Sequence, residues 1–179
     1  MRRREFALAS LGSVVAGLAA AQSAGPGPAI TWPDISLLGG GVLSTHSWRG
    51  QAAVVVFWAT YCPYCKRHNA HVDKLYRATE RQALRVLGMA LDDDVASVRR
   101  YMADNEYSFP VAMDGGMLSQ RLSQRRVIPM TCVLDRQGRL IQSIPGEMLE
   151  EDVLGLVSLL QRPAVEAGPQ AMRSKRQDW

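Results

Sequence analysis

The chain has 179 residues, enough for one domain with appendages. Its 21 lysines and arginines stand against 17 aspartates and glutamates, and its three cysteines are too few for a disulfide-stapled scaffold, so a folded body must rest on an apolar core. No basic stripe interleaved with aromatics occurs, and nucleic-acid binding is not expected.

Arg2, Arg3 and Arg4 precede Glu5 and Phe6, and an alanine-rich apolar stretch runs from Ala7 to Ala21. This is a charged n-region, an apolar h-region and a small-residue cleavage zone at Ala19-x-Ala21, so residues 1–21 read as an export signal. Arg3-Arg4-x-Phe6 resembles a twin-arginine signal, with an ordinary secretory signal as the alternative. Gly12, Ser13 and Gly17 break the h-region, which is short for a bilayer span, so a periplasmic destination is preferred over an uncleaved membrane anchor. Removing residues 1–21 leaves 18 basic against 16 acidic side chains, a net of +2.

Residues 22–32 read as a linker, residues 33–161 as the domain, and residues 162–179, rich in proline, glycine and charge, as a flexible tail. Within the domain, Ile35 to Leu38 and Val42-Leu43 suggest two short strands around the turn Gly39-Gly40-Gly41, and Ser44 to Arg49 a helical turn. Ala52 to Trp58 is an apolar run of strand length, followed by a helix from Cys62 to about Gln82 with Pro63 in its first turn, where the missing N–H costs nothing. Leu84 to Leu91 is apolar on both faces, as an interior parallel strand requires. Asp92-Asp93-Asp94 reads as capping and solvation for a helix over Val95 to Asn105 rather than as a metal site. Phe109 to Met113 is a short strand and Met117 to Ser123 a helix; Met130 to Asp135 and Arg139 to Ser143 form a hairpin, and Glu147 to Gln161 is a closing helix. The order β-β-β-α-β-α-β-α-β-β-α predicts an α/β fold, with a mixed central sheet, helices on both faces and an N-terminal β-hairpin.

Cys62-Pro63-Tyr64-Cys65 places two thiols one turn apart where a strand gives way to a helix. The unpaired N–H groups and dipole of a helix N-terminus favour a thiolate there, and two thiols that interconvert with a disulfide form a two-electron redox centre. Cys62, Cys65, His68 and His71 are all metal-ligand types, but on one helix they fan over half the circumference and span about 13 Å, so a tetrahedral ion is not expected. Copper handling by Cys62 and Cys65 alone stays open as a binding-module alternative. Cys132, among apolar neighbours, reads as a buried small hydrophobe. Trp32, Trp48, Phe57 and Phe109 read as core or rim aromatics rather than a cofactor box.

The segment Phe57-Trp58-Ala59-Thr60-x-Cys62-x-x-Cys65 in this element order resembles the thioredoxin superfamily, and most of all its exported TlpA/ResA-like thiol–disulfide oxidoreductases. Trp48-Arg49-Gly50-Gln51-Ala52, Leu91-Asp92-Asp93-Asp94, and Val127-Ile128-Pro129-Met130-Thr131 with Asp135-Arg136-Gln137-Gly138 carry the likeness further, over roughly Pro33 to Leu160. The resemblance implies Cys62 as nucleophile, Cys65 as resolving thiol, and Pro129 as a cis-proline that presents the backbone of Ile128 to the substrate. The substrate-facing surface it implies is Trp58, Pro63, Tyr64, Ile128 and Pro129. No cofactor or metal is implied beyond the redox-active Cys62–Cys65 pair. The implied partners are exported disulfide-bearing proteins, as in cytochrome c or copper-site maturation, and a membrane thiol electron donor, with the protein a monomer. A general thiol oxidase is the alternative; the DsbA type carries a large helical insertion for which this chain has no room.

Three residues depart from the pattern. Val56 stands where thioredoxin has a buried aspartate, His68 where the branch often has glutamate, and Ala70 where it has proline. His68 is accordingly the candidate proton acceptor for Cys65, against the alternative of a helix-surface histidine without a role.

Overall fold

The computed structural model describes residues 29–31, 33–48, 50–79, 84–114, 116–123 and 127–161; the segment read as an export signal, Trp32, Arg49 and the segment read as a tail lie outside the described residues. Strands β1 (Ile35–Ser36) and β2 (Val42–Leu43) pair antiparallel as a hairpin. A 3-10 turn (Thr45–Trp48) leads to β3 (Ala52–Trp58), and helix α1 (Pro63–Thr79) follows. Then come β4 (Leu84–Ala90), α2 (Val95–Asp104), β5 (Val111–Met113), α3 (Met117–Leu122), β6 (Met130–Leu134), β7 (Leu140–Pro145) and α4 (Glu150–Gln161). The order matches the one the sequence predicts.

The main sheet runs β5-β4-β3-β6-β7. β3, β4 and β5 are parallel, while β6 is antiparallel to β3 and β7 to β6. Every residue of β3 is buried because strands flank it on both edges and helices cover both faces, which is why its sequence is a continuous apolar run and not an alternation. One face carries Val54, Val56 and Trp58 against Cys65, Val72 and Leu75 of α1, Val98 of α2, and Val153 and Leu156 of α4. The other carries Ala53, Val55 and Phe57 against Trp48 and against Leu118 and Leu122 of α3, with Ile35 and Leu43 of the hairpin packed onto it. The hairpin also covers the β5 edge, where Leu37 bridges Ala112.

Several boundaries differ from the sequence expectation. Residues 29–31 belong to the folded body, since Ala29 bridges Arg139 and the Ile30 N–H donates to the Gly138 carbonyl at 2.8 Å. β5 starts at Val111 and not at Phe109, because Pro110 has no N–H to give a ladder. β7 runs on to Pro145 rather than stopping at Ser143. Helix α4 starts at Glu150, three residues later than expected: the Met148 N–H and carbonyl are engaged by side chains of α1, so Glu147 to Leu149 form a strap across that helix.

Candidate active site

Helix α1 begins at Pro63, directly after Cys62, and has no acidic residue in its first turn to compete with a thiolate. Cys62 and Cys65 are joined as a disulfide. The Cys65 backbone N–H donates to Cys62 Sγ at 3.1 Å, so an amide of the helix's first turn is aimed at that sulfur. Cys65 is wholly buried and Cys62 is 8% exposed. That asymmetry suits an outer sulfur that meets a substrate and an inner one that resolves the product.

The facing wall comes from the segment before β6. The Ile128–Pro129 peptide is cis, as the resemblance implied, and the Ile128 carbonyl oxygen lies 3.8 Å from Cys62 Sγ. The pairing of Met130 with Phe57 brings this segment to the carboxyl end of β3, where the disulfide sits, and the Pro129 carbonyl accepts the Gly146 N–H at 2.8 Å. Pro63 is exposed, and Tyr61 and Tyr64 stand out at 75% and 58% exposure on either side of Cys62. Arg67 stacks over the Tyr64 ring at 5.2 Å and pairs with Glu147 of the strap. Between Tyr61, Leu91, Ile128, Met130 and Gln120 opens a cleft of about 690 Å³. Trp58 does not share this surface. Expected to face substrate, it is instead fully buried: its ring turns inward onto Tyr101, 5.0 Å away, and toward Gly88.

His68 is not a surface residue; it is fully buried. Its Nδ1 accepts the Met148 N–H at 3.3 Å, so Nε2 carries the ring hydrogen and donates to Thr131 Oγ1 at 2.9 Å. Burial, seconded by the nearby His71 and partly offset by Glu147, pulls its pKa from 6.5 down to about 4. To take a proton, the ring must release the Met148 amide. His71 Nδ1 lies 3.2 Å from the Met148 carbonyl, so both histidines serve the α1–strap contact.

Asp92 escaped sequence reasoning. Of the acidic triplet only Asp94 caps α2, accepting the Ala96 and Ser97 N–H groups. Asp92 turns to the active-site loop, where its carboxylate accepts the Thr60 N–H at 3.1 Å and the Thr60 hydroxyl. A carboxylate at the end of β4 thereby fixes the loop two residues ahead of Cys62. Position after a parallel strand was the one available signal, since such ends border the sites of open α/β sheets.

A cysteine pair at the start of a helix, after the central strand of such a sheet and opposite a cis-proline, defines a thioredoxin-fold redox protein. The chain belongs to the Redoxin family, whose model matches residues 26–160. It is of the TlpA/ResA-like kind. It is 27% identical over 115 residues to the thiol-disulfide oxidoreductase ResA of Halalkalibacterium halodurans, a match covering 64% of this chain and 65% of that protein. To ResA of Geobacillus kaustophilus it is 28% identical over 127 residues, covering 69% and 72%. Among solved structures, a thiol:disulfide interchange protein from Chlorobium tepidum superposes with a TM-score of 0.69 at 24% identity, over 75% of this chain and 95% of that one. StoA from Bacillus subtilis does so at 0.64 with 21% identity, over 73% and 99%.

Proposed function

We propose that the protein is an exported thiol–disulfide oxidoreductase that reduces disulfides of extracytoplasmic proteins. The observation that carries this reading is the Cys65 N–H aimed at Cys62 Sγ, at a helix start that faces Ile128 and Pro129. In the reduced protein the Cys62 thiolate attacks a substrate disulfide and forms a mixed disulfide, and the first substrate sulfur leaves as a thiolate. Cys65 then loses its proton and attacks Cys62 Sγ. This closes the Cys62–Cys65 bond and releases the second substrate sulfur. Two electrons pass to the substrate, and a thiol donor at the membrane restores the dithiol. The disulfide is the only redox group this chemistry needs.

The ResA relatives support the reaction class, and the residues 1–21 pattern supports export. No helix among the described residues is long and apolar enough to cross a membrane. The direction of electron flow is supported by the ten-residue helix α2 in the β4–β5 crossover, which leaves no large insertion of the kind oxidants carry. Substrates with apocytochrome c or copper-site cysteines fit the reading. Equilibrating the protein with glutathione tests it: a reducing couple is expected, and a potential near DsbA's, about −120 mV, would overturn the reductant direction. Cys62→Ser should abolish reduction of a model disulfide, whereas Cys65→Ser should trap the mixed disulfide and with it the partner.

A further inference from the structure

We propose that Asn69 and Tyr101 hold an internal water one helical turn beneath Cys65, and that Cys65 gives up its proton into this pocket as it attacks the mixed disulfide. The inference rests on the thiol–disulfide exchange proposed above.

Asn69 is fully buried, yet neither its Oδ1 nor its Nδ2 has a hydrogen-bond partner among the described residues. The Tyr101 hydroxyl and Trp58 Nε1 are buried and unpartnered as well. Buried amides without partners are rare because each unmade bond carries a desolvation cost. The three side chains are neighbours: Tyr101 stacks on Trp58 at 5.0 Å, and the Asn69 amide is close enough to favour the Tyr101 phenolate, though burial keeps that phenol neutral. Asn69 and Tyr101 offer donors (Nδ2, Oη) and acceptors (Oδ1, Oη), the mixed set that an internal water satisfies with two to four bonds.

Cys65 and Asn69 are four residues apart on α1 and both fully buried, so they lie one above the other on its inner face. Helical side chains lean toward the N-terminal turn, which carries the Asn69 amide toward Cys65. His68, the other polar neighbour on this turn, has both nitrogens engaged by Met148 and Thr131. The proton of Cys65 therefore passes to the water, with the buried Tyr101 hydroxyl as the next group of the relay, and ends in bulk solvent. The electron pair left on Cys65 Sγ forms the bond to Cys62, and the substrate sulfur departs with the pair of the broken bond. Asn69 is a positioning residue in this scheme: it touches the water and not the substrate.

Single-turnover kinetics with a disulfide peptide separates the two steps, formation of the mixed disulfide and its resolution by Cys65. For Asn69→Leu and Tyr101→Phe, resolution should slow by at least about tenfold while formation stays within about twofold of wild type. Asn69→Ser, which keeps a polar group and room for the water, should resolve within about threefold of wild type. Wild-type resolution in both Asn69→Leu and Tyr101→Phe would overturn the proposal, as would equal slowing of both steps or an Asn69→Ser protein as slow as Asn69→Leu. Tyr101→Phe removes one oxygen and keeps the ring packing, so the test survives if Asn69→Leu fails to fold. Failure of the wild type to form any mixed disulfide would sink the exchange reading itself, and this inference with it.

Discussion

At the scale of single residues, the polar side chains around the disulfide are bound more tightly than their sequence neighbourhood suggests. His68 is held neutral, with a pKa near 4 in the fold against 6.5 when exposed. A histidine whose folded pKa is depressed binds its proton more readily in the unfolded chain, so stability falls as pH drops from 6.5 toward 4. The loss reaches up to about 3 kcal/mol across that window, since each pKa unit is worth about 1.4 kcal/mol. Urea denaturation of the wild type and of His68→Gln at several pH values checks this; the variant should lose most of the dependence between pH 6.5 and 4. A wild type whose stability is flat over that range would show that the buried ring is not held neutral. Asp92 gives a second case. Its bonds to the Thr60 amide and hydroxyl are made by a half-buried carboxylate, so Asp92→Ala should cost about 1–3 kcal/mol, read as a lower thermal midpoint.

At the scale of elements, the fold was legible wherever one strand or helix carries its own periodicity. The apolar run of β3, the two-sided apolar β4 and the glycine-rich turn of the hairpin announce themselves locally. What the sequence hid were contacts between elements. The helix expected from Glu147 starts late because His68 and His71, some eighty positions earlier, claim the backbone of Met148, and no local pattern encodes that competition. The site divides in the same way: Cys62, Cys65 and Pro129 stand in short motifs, while Asp92–Thr60 and His68–Thr131 are pairs that only the sheet brings together. Trp58 was misplaced because alternation along β3, and not nearness to Cys62, decides which way its ring points. That ring also constrains β4. A Cβ on Gly88 would lie 2.7 Å from Phe109 and 2.9 Å from the Trp58 indole nitrogen, so Gly88→Ala should overpack the sheet and cost about 1–3 kcal/mol in denaturant titrations. The end of α2 offers the opposite sign. Glu106 sits at φ 54°, in the left-handed region, while the Tyr107 N–H closes back on the Met102 carbonyl at 3.0 Å. Glycine is the residue this position favours, and Glu106→Gly should raise stability by up to about 1 kcal/mol. A destabilised Glu106→Gly protein would mean that the glutamate side chain contributes more than the backbone strain removes.

At the scale of the whole molecule, the sheet separates two kinds of cysteine. Cys62 and Cys65 lie at the start of α1, on the face shared with α2 and α4, while Cys132 lies on β6 in the core under α3. Cys132 is fully buried, its Sγ is 3.6 Å from the Leu122 carbonyl oxygen, and burial lifts its pKa to about 11. In the oxidised protein it is the one free thiol, so its reaction with a maleimide reports directly on opening of the structure. β6 is paired on both edges, by β3 and β7, and cannot peel away without breaking the sheet's centre. Labelling of Cys132 should therefore follow global unfolding: negligible in native buffer, and accelerating with urea along the slope of the equilibrium unfolding curve. A labelling rate that ignores urea would mean that the β6–β7 edge opens on its own. Replacing both Cys62 and Cys65 by serine then isolates what the disulfide does for the fold. Its loop spans only three residues, so it restricts the unfolded chain little, while α1 stays held by the strap and by Asp73, which accepts from Ser108. The double variant should label Cys132 with nearly the wild-type urea dependence, because a redox centre placed at the edge of the core can change state without loosening the sheet that carries it.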